Sequence, residues 1–132
     1  MQNTLRRTDF STVERELQSR REALRQEIHA TLLRSRDEGH ARLAGEVHDR
    51  KDESLAELLA GIDVAEVNRD AGEIRDIDAA LKRVAAGTFG LCIGCGASIA
   101  PQRLQAYPTA KRCLNCQRQH EKTRAVPPIP KL

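Results

Sequence analysis

The sequence predicts a mainly α protein: a long antiparallel coiled-coil hairpin standing on a small base held by four cysteines, with a short C-terminal helix. Three observations carry this. Aromatic residues are 2% of the 132 and charged residues 31%, so the apolar residues must lie along narrow seams or in a small stapled unit, because a broad core would need more bulk. Proline is absent until Pro101, while apolar residues recur at helical spacing through that stretch. The only four cysteines form two CxxC pairs, Cys92/Cys95 and Cys113/Cys116, with seventeen residues between them.

The elements follow in order. Ser11 with Glu14 three residues later forms a capping-box signature for the start of the first helix. Leu17, Leu24, Ile28, Leu32, Leu33, Leu43 and Val47 then continue an apolar stripe on a background of Arg and Glu, which predicts one helix over 12–47. Ile74, Ile77, Leu81 and Val84, with Val67 in the same register, and an earlier stripe of Leu55, Leu59 and Ile62 predict a second helix over 54–86. No apolar residue lies from His48 to Ser54. Neither stripe can be buried alone, so the two helices are expected to fold back on each other as an arm over 12–88 with its tip near 48–54. At 1.5 Å per residue such an arm reaches about 50 Å. The competing reading is that Gly39 and Gly45 break the first helix, giving three or four shorter helices in a bundle, each glycine costing about 1 kcal/mol relative to alanine. Gly87 is expected as a left-handed cap and Gly90 as a turn. Residues 1–11 are read as an N-terminal segment. Residues 89–132 hold the cysteines, a short charged helix around "QRQHEKTR" and a proline-rich tail.

Zinc takes four ligands at tetrahedral corners with Zn–S near 2.3 Å, and each CxxC turn supplies two adjacent corners. Cys92, Cys95, Cys113 and Cys116 are therefore the expected ligands of a structural zinc ion that staples a segment too small to fold alone. Gly94 and Gly96 flank Cys95, where a tight turn with N–H groups aimed at sulfur favours glycine. With four thiolates the shell is closed, which disfavours catalytic zinc, and a redox role needs only one pair. His120 lies four residues past Cys116 and is read as a solvated helix residue rather than a ligand.

The net charge of +3 is unevenly placed. Residues 51–90 carry five Lys/Arg against nine Asp/Glu, and residues 91–132 carry seven against one. The molecule is thus electrically polar from arm to base. There is no apolar run long enough for a membrane span and no apolar stretch at the N-terminus resembling a signal peptide; a cytoplasmic protein is expected, where paired cysteines read as metal ligands rather than disulfides.

The finger segment "GTFGLCIGCGASIAPQRLQAYPTAKRCLNCQ" and the preceding "NRDAGEIRDIDAALKRV" resemble the DksA/TraR family of bacterial regulators that bind RNA polymerase. The resemblance implies a coiled-coil arm on a C4 zinc-finger base, entering the secondary channel of RNA polymerase without reading DNA sequence. It further implies two acidic tip residues three apart, here Asp49 and Asp52, carried toward the polymerase active centre. A monomer is expected, because an arm already paired with itself has no need of a partner. Family members that cooperate with ppGpp place basic residues at positions that here are Asp76, Tyr107 and Gln117. One acid and two neutral groups serve that anion poorly. Independence from ppGpp is the expectation, with Lys82, Arg103 and Lys111 as nearby cations able to substitute.

The alternative function is a nucleic-acid-binding zinc ribbon with a coiled-coil adaptor arm, in which Arg103, Lys111, Arg112, Arg118, Lys122 and Arg124 track phosphates. Tyr107 is the only aromatic near them, which leaves little for base stacking. No enzyme is expected: no Ser/His/Asp arrangement stands out, and His29, His40, His48 and His120 are spread along charged helices.

Overall fold

In the computed structural model, residues 7–50 and 55–125 are described. They form α1 (Arg7–Arg34), α2 (Glu38–Asp49), α3 (Leu55–Leu58), α4 (Ala65–Ala86), α5 (Pro101–Ala106) and α6 (Leu114–Ala125). The fold is mainly α, and its backbone is an antiparallel helical hairpin on a four-cysteine base. The hairpin is α1 against α4. Phe10 meets Phe89 edge-on with ring centres 5.5 Å apart at the base, and Arg21 Nε donates to Asp78 Oδ1 at 2.6 Å further out. At 28 and 22 residues the two helices are about 42 and 33 Å long.

The seam between them is the one the spacing marks: Leu17, Leu24, Ile28 and Leu32 from α1, and Val67, Ile74 and Ile77 from α4, are all buried. Leu33 departs from the expected stripe and is 53% exposed, because a residue one step from Leu32 turns away from the same face.

Neither hairpin helix is continuous, which corrects the expected spans 12–47 and 54–86. α1 is already helical at Arg7, ahead of the expected Ser11 cap, and its Phe10 packs against Phe89 of the finger. It stops at Arg34 because Ser35 and Asp37 hydrogen-bond locally in place of the helix. Asp37 caps α2, accepting from Gly39 N at 2.7 Å and His40 N at 3.2 Å, while Ser35 Oγ pairs with His40 Nδ1 at 2.7 Å and accepts from Asp37 N. Such short polar side chains compete with the helical ladder. Gly39 and Gly45 are not the breakers; both lie inside α2. On the other strand of the hairpin, Gly61 at φ 85° ends the turn after α3, and Val64 enters α4 in extended geometry.

The break lets α2 fold back along α1 and bury Ala44 and Val47. Arg25, only 5% exposed, fixes this contact: its Nη1 donates to the Val47 carbonyl at 2.8 Å and the His48 carbonyl at 3.4 Å, and Glu22 binds the other edge of the guanidinium. α3 packs on α4 and buries Leu55. The far part of the hairpin is therefore thickened to several helices. Arg25 is nine residues before the end of α1, so the C-terminal end of α2 sits about 13 Å back from that end.

The two cross-hairpin ion pairs differ in setting. Arg21–Asp78 is 12% and 14% exposed, Arg20–Glu73 51% and 42%. Arg21→Ala should cost about 2 kcal/mol in urea unfolding, because Asp78 loses its partner in a dry seam. Arg20→Ala should cost less than about 1 kcal/mol. Equal losses would mean that exposure does not set the value of these pairs.

Candidate metal centre

The finger begins where α4 ends. Gly87 at φ 80° is the left-handed cap, with Thr88 N and Phe89 N both donating to the Arg83 carbonyl. Gly90 at φ 87° makes the next turn, and Ile99 N returns to its carbonyl at 2.7 Å. Phe89, Cys92, Ile99 and Leu104 are buried and form the small core of the base. Arg83, whose burial lowers its proton affinity, reaches from α4 to the Thr109 carbonyl at 3.4 Å. With the Phe10–Phe89 contact, it joins the base to both hairpin helices.

The two CxxC turns come together through Ile93 N donating to the Lys111 carbonyl at 2.8 Å. Cys92, Cys95, Cys113 and Cys116 then bring their sulfurs within 4.8 Å of one another, and Cys95 Sγ to Cys113 Sγ is 3.9 Å. A tetrahedral zinc with 2.3 Å bonds separates its sulfurs by about 3.8 Å, so the cluster fits one ion with small adjustments. All four cysteines are free of disulfides.

Each turn also points backbone donors at sulfur: Gly94 N to Cys92 Sγ at 3.3 Å and Cys116 N to Cys113 Sγ at 3.4 Å. The second turn opens α6, with Gln117 N donating to the Cys113 carbonyl, so the positive end of a 12-residue helix faces the thiolates. The thiols are unequal. Backbone N–H groups, Cys113 first, draw the Cys92 thiol down to about 6 against the opposing effect of burial, while hydrogen bonds to the other sulfurs, Cys92 first, push Cys116 up to about 12. Zinc uptake has to displace the Cys116 proton, so binding releases acid.

The glycines at this site serve different needs. Gly96 has φ 80°, a conformation that needs glycine. Gly94 leaves room for the cluster: a Cβ there would stand 3.2 Å from Cys116 Sγ, close enough that the sulfur would have to give by a few tenths of an ångström. His120 lies on α6 and does not join the cluster.

Of the expected arm-tip pair, Asp49 is exposed at the last position of α2, beside the middle of α1, and Asp52 lies outside the described residues. Sequence spacing gave no sign of this fold-back, since it depends on the Ser35–Asp37 turn. Asp76, Tyr107 and Gln117, which the resemblance groups together, do line one cavity of about 510 Å³, together with Arg103, Lys111, Arg112 and Arg118. Arg103 there donates to the Arg112 carbonyl at 3.2 Å and lies over the Tyr107 ring. Lys82 is not part of that lining.

Two predictions follow from the cluster's geometry. Stripping zinc with a strong chelator should abolish amide protection over 89–116 while most of the helical circular dichroism from α1 and α4 survives. Gly94→Ala should weaken zinc binding in chelator competition by at least about tenfold, since the crowded atom is a ligand; retention of full affinity would show that Cys116 has room to move.

Residues 87–122 match the prokaryotic dksA/traR C4-type zinc finger family, and the protein is a zinc-finger protein with a structural zinc ion. Over 108 residues the chain is 32% identical to the RNA polymerase-binding transcription factor DksA of Salmonella typhimurium, covering 82% of this chain and 68% of that one. It is 32% identical over 101 residues to the Escherichia coli K12 protein of the same name, covering 76% and 64%. Among solved structures, transcription factor DksA2 from Pseudomonas aeruginosa shares the fold with TM-score 0.62 at 23% identity, covering 92% of this chain and 90% of that one. The DnaK suppressor protein from Agrobacterium tumefaciens aligns with TM-score 0.56 at 27% identity, covering 90% and 97%. Four cysteines closing one metal site at the foot of a helical hairpin, with this extent of identity, place the chain in the DksA/TraR family.

Proposed function

We propose that this protein is a cytoplasmic, non-enzymatic transcription regulator that binds RNA polymerase through the secondary channel and modulates promoter complexes without reading DNA sequence. The observation that carries the reading is the relationship over most of the chain to factors named for RNA polymerase binding. The zinc-held base, with Cys92, Cys95, Cys113 and Cys116 as ligands, acts as pedestal, and the hairpin is the part that enters the partner. By binding some polymerase states more tightly than others, the factor shifts their populations by its differential affinity alone. It acts as a monomer, its hairpin already paired with itself.

Asp49 and Asp52 are proposed as the acids presented to the polymerase. Asp49 is exposed, as that role requires, and it follows directly on the two carbonyls that Arg25 holds. A carboxylate brought close to a metal-dependent centre acts on its cations over a short range.

Action independent of ppGpp is supported by Asp76, Tyr107 and Gln117, which offer that anion one like charge and two neutral groups. A second reading has its own observation: Arg103, Lys111, Arg112 and Arg118 line the same cavity and supply the missing positive charge.

Purified RNA polymerase should retain the protein in co-sedimentation. The Asp49→Asn/Asp52→Asn double variant should bind about as well yet lose its effect on open promoter complexes. Adding ppGpp should leave the effect unchanged. An increase with ppGpp that disappears in Arg103→Ala/Lys111→Ala would establish the second reading, and binding to bare DNA with steep salt dependence would replace both with the zinc-ribbon function.

A further inference from the structure

Neither the finger nor the polymerase reading uses the contact between His29 and His48. These side chains come from α1 and α2, and the fold-back brings their rings to 5.6 Å centre to centre, tilted at 45°. His29 is half-buried and His48 exposed, so the pair is seated on one side and open to solvent on the other.

An imidazole bound to zinc at about 2.05 Å through nitrogen has its ring centre about 3.2 Å from the ion, so two such rings at a tetrahedral angle lie about 5.2 Å apart. The observed centre-to-centre spacing of 5.6 Å is a few tenths of an ångström wider. Arg25, whose Nη1 lies 3.4 Å from the His48 carbonyl, is compensated by the Glu22 carboxylate on one edge and by the Val47 and His48 carbonyls on the other. Its charge therefore opposes a metal ion less than a bare guanidinium would. Neutral imidazole is a good ligand for zinc, nickel and copper.

We propose that His29 and His48 form a second divalent-metal site, distinct from the four-cysteine centre, that takes zinc-like ions and pins α2 to α1. Water completes the coordination shell, so the site is weaker than the finger and exchanges with free metal. Because the two ligands come from different helices, the ion binds the folded-back arrangement and not an extended one, and by linkage it favours the former. The ion thus acts at the end of α2 that carries Asp49.

The test uses the full chain with its finger already loaded with one equivalent of zinc. Calorimetric titration with further zinc should show a second, weaker binding event. His29→Gln and His48→Gln should each weaken that event at least tenfold, whereas His40→Gln and His120→Gln should leave it in place. Hydrogen exchange of the α2 amides should slow on zinc addition in the parent and not in His48→Gln. Since His48 is exposed, its variant is expected to keep the parent's helical circular dichroism; loss of that signal would itself contradict the exposed placement on which the site rests. No second event up to millimolar zinc, or one that survives in both single variants, would overturn the proposal.

Discussion

Four sulfurs have to meet within a few ångströms, and that requirement organises the rest of the molecule. The segment from Phe89 to Cys116 buries little beyond Phe89, Cys92, Ile99 and Leu104, too few side chains to fold it alone. A shared metal ion supplies the missing free energy. Once the turns are closed, Phe89 is held where Phe10 can meet it and Thr109 where Arg83 can reach it. The base thereby holds both helices of the hairpin, and the direction in which the hairpin leaves it is set by those contacts.

Beyond the base, a different constraint governs. α2 folds back onto α1 and buries Ala44 and Val47, while α3 packs on α4 and buries Leu55. The buried guanidinium of Arg25 is tolerated because Glu22 and two backbone carbonyls satisfy it. The distal part is thus a small bundle built on a two-helix stem. That geometry gives the end of α2 its own set of contacts, separable from those of the stem.

What was legible in the sequence was whatever rests on strict spacing. The two CxxC pairs, the left-handed cap at Gly87, the turn at Gly90 and the seam of Leu17, Leu24, Ile28, Ile74 and Ile77 all stand where periodicity and turn chemistry put them. The helix break was not legible from glycine content. Gly39 and Gly45 are the obvious suspects, yet the Ser35–Asp37 turn does it, through hydrogen bonds whose worth depends on His40 and two backbone amides being in reach. Gly94 and Gly96 look alike in the chain but answer to different limits, one steric and one conformational. The meeting of His29 with His48 follows from the fold-back, so no local pattern announces it.

The central claim is that one ion held by four thiolates anchors the hairpin, and X-ray absorption at the zinc edge tests it most directly. On protein carrying a single equivalent of zinc, the first shell should contain four sulfur neighbours at about 2.3 Å and no lighter ligand. A shell with fewer than four sulfurs, or with a nitrogen at about 2.0 Å in place of one, would contradict it.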